Sequence, residues 1–151
     1  MLNTMTITLQ DVAAIATAGA VIVAVWQLWE SRKVARTQFE DSLNAQYRAL
    51  LAELPLDAVL GRRLSTEALA SSLRVFYRYF DLSNEQAFLH DTKRVRSVTW
   101  ANWRDGIAQN MARPAFRQAW EQLLPDLDGS FDELKVIARK IEPSNEDSNA
   151  T

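Results

Sequence analysis

Residues 12–29 read VAAIATAGAVIVAVWQLW, and this apolar stretch decides how the whole chain is interpreted. Gln27 is its only strongly polar residue. A helix of this length measures about 27 Å, close to the roughly 30 Å hydrocarbon core of a bilayer. The charged sequence ESRKVARTQFED follows directly. The pattern predicts a transmembrane helix over residues 9–29, preceded by a short extracytoplasmic segment, residues 1–8.

A cleaved signal peptide and a buried core helix are the competing interpretations of this stretch. A signal peptide needs a positively charged n-region, and residues 1–11 contain no Lys or Arg. A core helix is normally shorter and has a polar face, which this stretch lacks. Both comparisons favour a membrane anchor.

The flanks of the stretch predict its orientation in the membrane. Trp26 and Trp29 lie where interfacial aromatic residues are expected. Arg32, Lys33 and Arg36 follow on the C-terminal side only. By the positive-inside rule, residues 30–151 lie in the cytoplasm and the N-terminus lies outside. We therefore expect a single-pass membrane protein that has the lipid bilayer as a partner.

Small residues recur along the predicted span at Ala16, Gly19, Ala20 and Ala24. Such rows let two helix backbones approach closely, and they recur where transmembrane helices pack together. They predict helix association and a homo-oligomer. The alternative is that Ala is merely common in membrane anchors.

Residues 30–54 continue the helical pattern as a juxtamembrane stalk. They contain no Pro or Gly, and Pro55 marks the end of the helix. One apolar stripe runs along this stalk through Ala35, Phe39, Leu43, Tyr47, Leu50 and Leu54. The stripe can be buried in two ways, either against the downstream domain or against the same helix of a second subunit.

Residues 55–142 predict one small helical-bundle domain in the cytoplasm. Short helices are expected over 56–60, 66–80, 83–89, 98–111, 114–124 and 130–141. Capping boxes are predicted at Ser83 with Gln86 and at Ser130 with Glu133. Ser65 or Thr66 is predicted to cap the helix over 66–80, and Ser97 is predicted as a further cap. The tail, residues 143–151, is small, polar and acidic, so we expect it to be disordered. The predicted fold class is all-α.

Three segments, FYRYFDLSNEQAFL (76–89), WANWRDGI (100–107) and RPAFRQAW (113–120), carry a resemblance to known proteins. Together they resemble small bacterial single-pass membrane proteins that belong to domain families of unknown function. The resemblance covers about a third of the chain and the layout of its anchor. It implies an N-terminal helix in the bacterial inner membrane with a helical cytoplasmic domain, and it supplies no catalytic residues.

Basic residues near the aromatic residues raise the question of a ligand. Trp100 and Trp103 share one helical face, and with Phe116 and Trp120 they predict an aromatic core. The alternative is a stacking platform for an anionic or nucleotide ligand, because Arg suits phosphate contact and bases stack on Trp. Its candidate binding residues are Arg94, Arg96, Arg104, Arg113 and Arg117.

Other chemistry finds little support in the sequence. His90 is the only His and Cys is absent, so a zinc site lacks ligands. The scattered Gly residues form no phosphate-binding loop. The acidic pairs Glu40-Asp41 and Asp132-Glu133 are expected on solvated helix surfaces. We therefore expect no catalytic residue, no metal and no cofactor, and the net charge of −2 argues against DNA or RNA binding.

Two functions follow from these observations. The favoured hypothesis is a non-enzymatic interaction or sensing module that is held at the membrane and presents its domain to a protein partner. The alternative is an oligomeric membrane effector whose domain binds a small anionic or nucleotide signal and whose helices perturb the bilayer. If the five arginines converge on one concave surface, the effector is favoured. If they point into solvent or pair with acidic residues, the interaction module is favoured.

Overall fold

The computed structural model describes residues 9–127 and 129–141, and it is helical without strands over those ranges. The helices are α1 (Leu9–Glu53), α2 (Leu56–Val59), α3 (Thr66–Asp91), α4 (Ser97–Met111), α5 (Pro114–Leu123) and α6 (Asp132–Ile141), and a 3-10 turn covers Leu124–Asp126. The predicted all-α class is confirmed, as is the long N-terminal helix. Two predictions lie outside the described residues, namely the extracytoplasmic segment 1–8 and the disordered tail 143–151.

The chain divides into two compact units, residues 1–39 and 40–151. The first unit contains the apolar part of α1. An 18-residue window there has a mean hydropathy of 1.9, and none of its residues is buried within the protein. The Thr17 hydroxyl donates to the Ala13 carbonyl at 2.9 Å, which satisfies its polar group inside the helix. This helix is long and apolar enough to cross a bilayer.

The second unit begins at Glu40 and includes the last residues of α1. Leu43, Leu50 and Leu54 are buried there, and Leu54 belongs to the main hydrophobic core. For residues 40–54, the apolar stripe therefore packs against the downstream helices of the same chain. This is the first of the two alternatives that the sequence left open.

Helix α3 is the central element of the second unit, and α4, α5 and α6 all contact it. Aromatic rings dominate the core between these helices. Phe116 packs edge-on against Phe76 and Tyr79, with ring centroids 5.1 Å and 5.0 Å apart. Trp120 packs in the same way against Phe80 at 5.1 Å. Such pairs stabilise a core by about 0.5–1.5 kcal/mol each beyond their buried area.

The predicted break in α3 is wrong. Ser83 and Gln86 are buried in the middle of one continuous helix instead of opening a new one. The Ser83 hydroxyl donates to the Tyr79 carbonyl at 2.8 Å, so the helix itself supplies its partner. Of the two residues predicted to cap this helix, Ser65 is its N-cap, since the Ser65 side chain accepts the Ala68 N–H.

The other two predicted caps are misplaced. Helix α4 includes Ser97, and Arg96 is its N-cap residue. Helix α6 begins at Asp132, and the Asn84 side chain of α3 accepts the Leu134 N–H at 3.0 Å. Helix α4 thus starts one residue before its predicted range and α6 starts two residues after the start of its own. A distant side chain helps to fix each of these positions.

Two helices end in the same hydrogen-bonding pattern, with different residues at the left-handed position. After α2, Gly61 has a φ of +78° and Arg62 N–H binds the Asp57 carbonyl at 2.8 Å. After α3, Lys93 has a φ of +58° and Arg94 N–H binds the Leu89 carbonyl at 2.9 Å. This is the Schellman motif, which Gly occupies without steric cost and Lys does not.

Candidate functional site

The five candidate arginines do not converge on one surface. Arg96 binds Glu40. Arg104 pairs with its neighbour Asp105 at 3.1 Å, and Arg113 donates to the Asn110 side chain at 2.7 Å. Arg117 lines a separate pocket together with Glu121. The side chain of Arg94 is exposed and interacts with another group of the protein.

Glu40 is the most deeply buried charged residue of the described chain, at 1 % exposure. Its Oε1 accepts the backbone N–H of Arg96 at 2.8 Å. Its Oε2 accepts from Arg96 Nε and Thr99 Oγ1, both at 2.8 Å, and also from Arg96 Nη2. The prediction that Glu40 lies on a solvated surface is wrong, because every one of these donors faces it from α4 or its N-cap. Asp41 is exposed as expected.

The carboxylate of Glu40 therefore caps α4 from another helix. It satisfies an N-terminal N–H and places a negative charge at the positive end of the helix dipole. Burial raises the pKa of Glu40, but the hydrogen bonds from Arg96 and Thr99 outweigh it and hold this pKa below its usual value. The same ion pair raises the pKa of Arg96. Glu40 stays ionised at neutral pH.

Two further polar contacts join the end of α1 to α4. Trp103 Nε1 donates to the Asn44 side chain at 2.7 Å. Asn110 Nδ2 donates to the hydroxyls of Tyr47 and Tyr79 at 3.1 Å and 3.0 Å. Burial raises the pKa of Tyr79, so this hydroxyl remains neutral. We call this set of interactions the α1–α4 contact. It joins Glu40, Asn44 and Tyr47 of α1 to Arg96, Thr99, Trp103 and Asn110.

A cleft of about 670 Å³ opens between α3, α4 and α6, within the range of known ligand pockets. The rings of His90 and Trp100 stack nearly parallel at its side, with centroids 4.9 Å apart and planes 11° apart. Its apolar lining comes from Ala87, Ala108, Val136 and Ile137, and its charged lining from Asp91, Arg104, Asp132, Glu133 and Lys140. We call this the α3–α4–α6 cleft.

Two predictions from the sequence concern residues in or near this cleft, namely the Trp pair of α4 and the acidic pair of α6. Trp100 and Trp103, predicted as members of the aromatic core, are only partly buried. Trp100 packs against the core that Phe116 and Trp120 occupy, and Trp103 instead binds Asn44. Asp132 and Glu133, expected on an ordinary solvated surface, line the cleft. Within residues 9–127 and 129–141, no group of three or more His, Asp or Glu side chains is arranged to hold a metal ion.

The residues predicted at the membrane lie on the apolar half of α1. Trp26 and Trp29 are about two-thirds exposed. Lys33 forms an ion pair with Glu30 at 3.6 Å, and Arg32 and Arg36 are also exposed. The row Ala16, Gly19, Ala20 and Ala24 is exposed as well, and a Cβ added at Gly19 would meet no atom within 4 Å.

Sequence reasoning missed Glu40, Asn44, Asn84 and Asn110 as functional contacts. Glu40 and Asn44 flank the apolar stripe of the stalk, and this position is the one sequence feature that could have indicated their burial. Their partners lie more than fifty residues further along the chain. No local pattern links residues at that separation.

No protein-family model, curated protein or solved structure matches this chain. The resemblance to small bacterial single-pass membrane proteins therefore stays a prediction.

Proposed function

We propose that this chain is a membrane-anchored, non-enzymatic interaction or sensing module on the cytoplasmic face of the bacterial inner membrane. Its N-terminal helix is the anchor, and residues 40–141 form a helical-bundle domain that is presented to a protein partner. The single observation that carries this proposal is the apolar stretch of α1, none of which is buried within the protein. The same helix continues into residues 40–53, where Leu43 and Leu50 are buried in the domain. An exposed apolar surface of this size needs lipid or another protein to cover it.

The orientation and the oligomeric state belong to the same proposal. Arg32, Lys33 and Arg36 would hold residues 30–151 in the cytoplasm. The small residues from Ala16 to Ala24 would bring anchor helices of a homo-oligomer together. The mechanism is positional, because tethering to a membrane raises the local concentration of the domain near its partner.

The distribution of the arginines supports the interaction module over a nucleotide-gated effector. A signal-binding site of the expected kind needs several of them around one pocket. Arg96 and Arg104 instead pair with acidic side chains, and Arg113 binds Asn110. One of the five, Arg104, lines the α3–α4–α6 cleft.

An anchor exchange tests the positional mechanism. Three forms are compared: the natural chain, a deletion of residues 1–29, and a chimera in which an unrelated single-span helix replaces residues 9–29. We expect the natural chain and the chimera to resist carbonate extraction from membranes and to crosslink to the same partner. The deletion should appear in the soluble fraction and lose that crosslink. Membrane extraction of the natural chain by carbonate would overturn the proposal.

Native mass spectrometry of the full-length protein, extracted gently from its own membranes, separates the two functions. A bare protein oligomer, or one that holds a second polypeptide, is expected. An oligomer that carries an additional small-molecule mass would contradict the proposal and favour the effector.

A further inference from the structure

The α3–α4–α6 cleft has charges without partners around an apolar interior. Within the described ranges, the carboxylates of Asp91, Asp132 and Glu133 form no hydrogen bond or ion pair. Lys140 is likewise unpaired there, whereas Arg104 is already neutralised by Asp105, which lies outside the cleft lining. Among the described residues of the cleft lining, three carboxylates and one ammonium group are thus without a partner, so the lining carries net negative charge and attracts cations.

We infer that this cleft is the partner-docking surface, and that its occupant is a basic, extended peptide segment that carries an apolar side chain. The inference rests on the proposed function and adds the chemistry of the partner to it. Lys or Arg side chains of the peptide bind Asp132 and Glu133 at one end of the cleft and Asp91 on α3. The apolar side chain enters the space between Trp100 and Ile137.

The spacing of the charges favours a peptide over a small organic cation. Asp132 and Lys140 stand eight residues apart on α6, which is about 12 Å along a helix. An occupant that reaches both ends must be as long as about four residues of extended chain. The opposite charge of Lys140 gives that occupant a direction, because an acidic group or a carbonyl oxygen is preferred at this end.

The apolar lining provides the second part of the recognition. Val136 is 49 % exposed although it lines the cleft, and Ile137 beside it is partly packed against the core. His90 holds the Trp100 ring by stacking, so the ring is positioned before a partner arrives. A positioned aromatic ring beside aliphatic side chains is typical of the buried centre of an interface, with charged residues at the rim.

The test uses the full-length protein in nanodiscs and a short fluorescein-labelled peptide of Lys and Leu residues in a Gly-Ser background. A counterpart with Glu in place of every Lys serves as the charge control. Fluorescence anisotropy measures the binding of each. The cleft variant combines Asp91→Asn, Asp132→Asn and Glu133→Gln. The matched control combines Glu85→Gln, Glu121→Gln and Asp126→Asn, which removes three exposed carboxylates outside the cleft.

We expect saturable binding of the Lys peptide that the cleft variant weakens by about tenfold, because three rim charges each contribute modestly. The control variant should bind within about twofold of the natural protein, since its charges lie elsewhere. Ala108→Leu keeps the charge and fills the cleft, and it should weaken binding as well.

Three results would overturn the inference: no saturable binding of the Lys peptide, equal weakening by the cleft and control variants, or tighter binding of the Glu peptide. None of them touches the anchor-exchange experiment. Failure of the docking surface is therefore distinguishable from failure of the proposed function.

Discussion

Replacing Glu40 by Ala should destabilise residues 40–141 far more than replacing any exposed acid of α1. The change removes the acceptor for the Arg96 N–H, for the Arg96 guanidinium and for the Thr99 hydroxyl. Hydrogen bonds to a charged group contribute about 1.5–3 kcal/mol each, but desolvation of the buried carboxylate offsets part of their sum. We expect the free energy of unfolding to fall by about 2–4 kcal/mol.

Glu53→Ala is the matched control on the same helix. Glu53 also binds an arginine, Arg78, at 2.8 Å, but both side chains are about half exposed. Exposed ion pairs of this kind contribute about 0–1 kcal/mol. The two variants thus remove the same side chain from two ion pairs that differ in burial and in the capping of α4.

The assay is urea unfolding of the full-length protein in detergent, followed by tryptophan fluorescence, together with hydrogen exchange of the first turn of α4. Glu40→Ala should lower the urea midpoint and speed exchange at the Arg96 amide, and Glu53→Ala should leave that amide protected. Equal losses of stability in the two variants would refute the reasoning that burial and capping make Glu40 different.

Further predictions concern pH, a helix end and a helix start. The pKa of Glu40 in the folded chain lies below its usual value of 4.5, so Glu40 stabilises the fold fully above about pH 4.5 and this stabilisation is lost as the pH falls through the lower folded pKa. Urea midpoints measured from pH 7 to pH 3 should therefore fall less steeply in Glu40→Gln than in the natural protein. Lys93→Gly should raise the free energy of unfolding by about 0.5–1 kcal/mol, because Gly adopts the positive φ at the end of α3 without strain; an unchanged or lower urea midpoint would contradict this. Asn84→Ala should lower the same free energy by about 1 kcal/mol and speed hydrogen exchange at the Leu134 amide, because it removes the acceptor for that N–H.

The helix boundaries were predictable where the backbone chemistry is local. Pro55 follows the end of α1, Pro114 opens α5, and Ser65 caps α3, each by a mechanism confined to one turn of chain. Ser83 was misread because the same side chain that caps a helix can also bond to the carbonyl four residues back. The local pattern is identical in the two cases, and only the packing around Ser83 distinguishes them.

The contacts of the candidate site were not predictable for a different reason. Glu40, like Asp41, follows the rules of an exposed helical residue, and its burial is set by α4, which lies beyond two intervening helices in the sequence. The cleft likewise forms only when α6 packs beside α3 and α4. The aromatic core was easier, because Phe116 and Trp120 share one face of a short helix whichever partner they meet.

The two caps supplied by Glu40 and Asn84 have a consequence for the order of events during synthesis. Glu40 precedes its partner Arg96 by 56 residues, and Asn84 precedes Leu134 by 50. At roughly 5–20 residues per second, about 3–11 s separate the appearance of Glu40 from that of Arg96. During that interval the apolar stretch 12–29 has already been made, while the carboxylate that will be buried is still in water. If the proposed anchor delivers the nascent chain to a membrane, this step can precede the closing of the α1–α4 contact, and the domain then completes its folding after attachment.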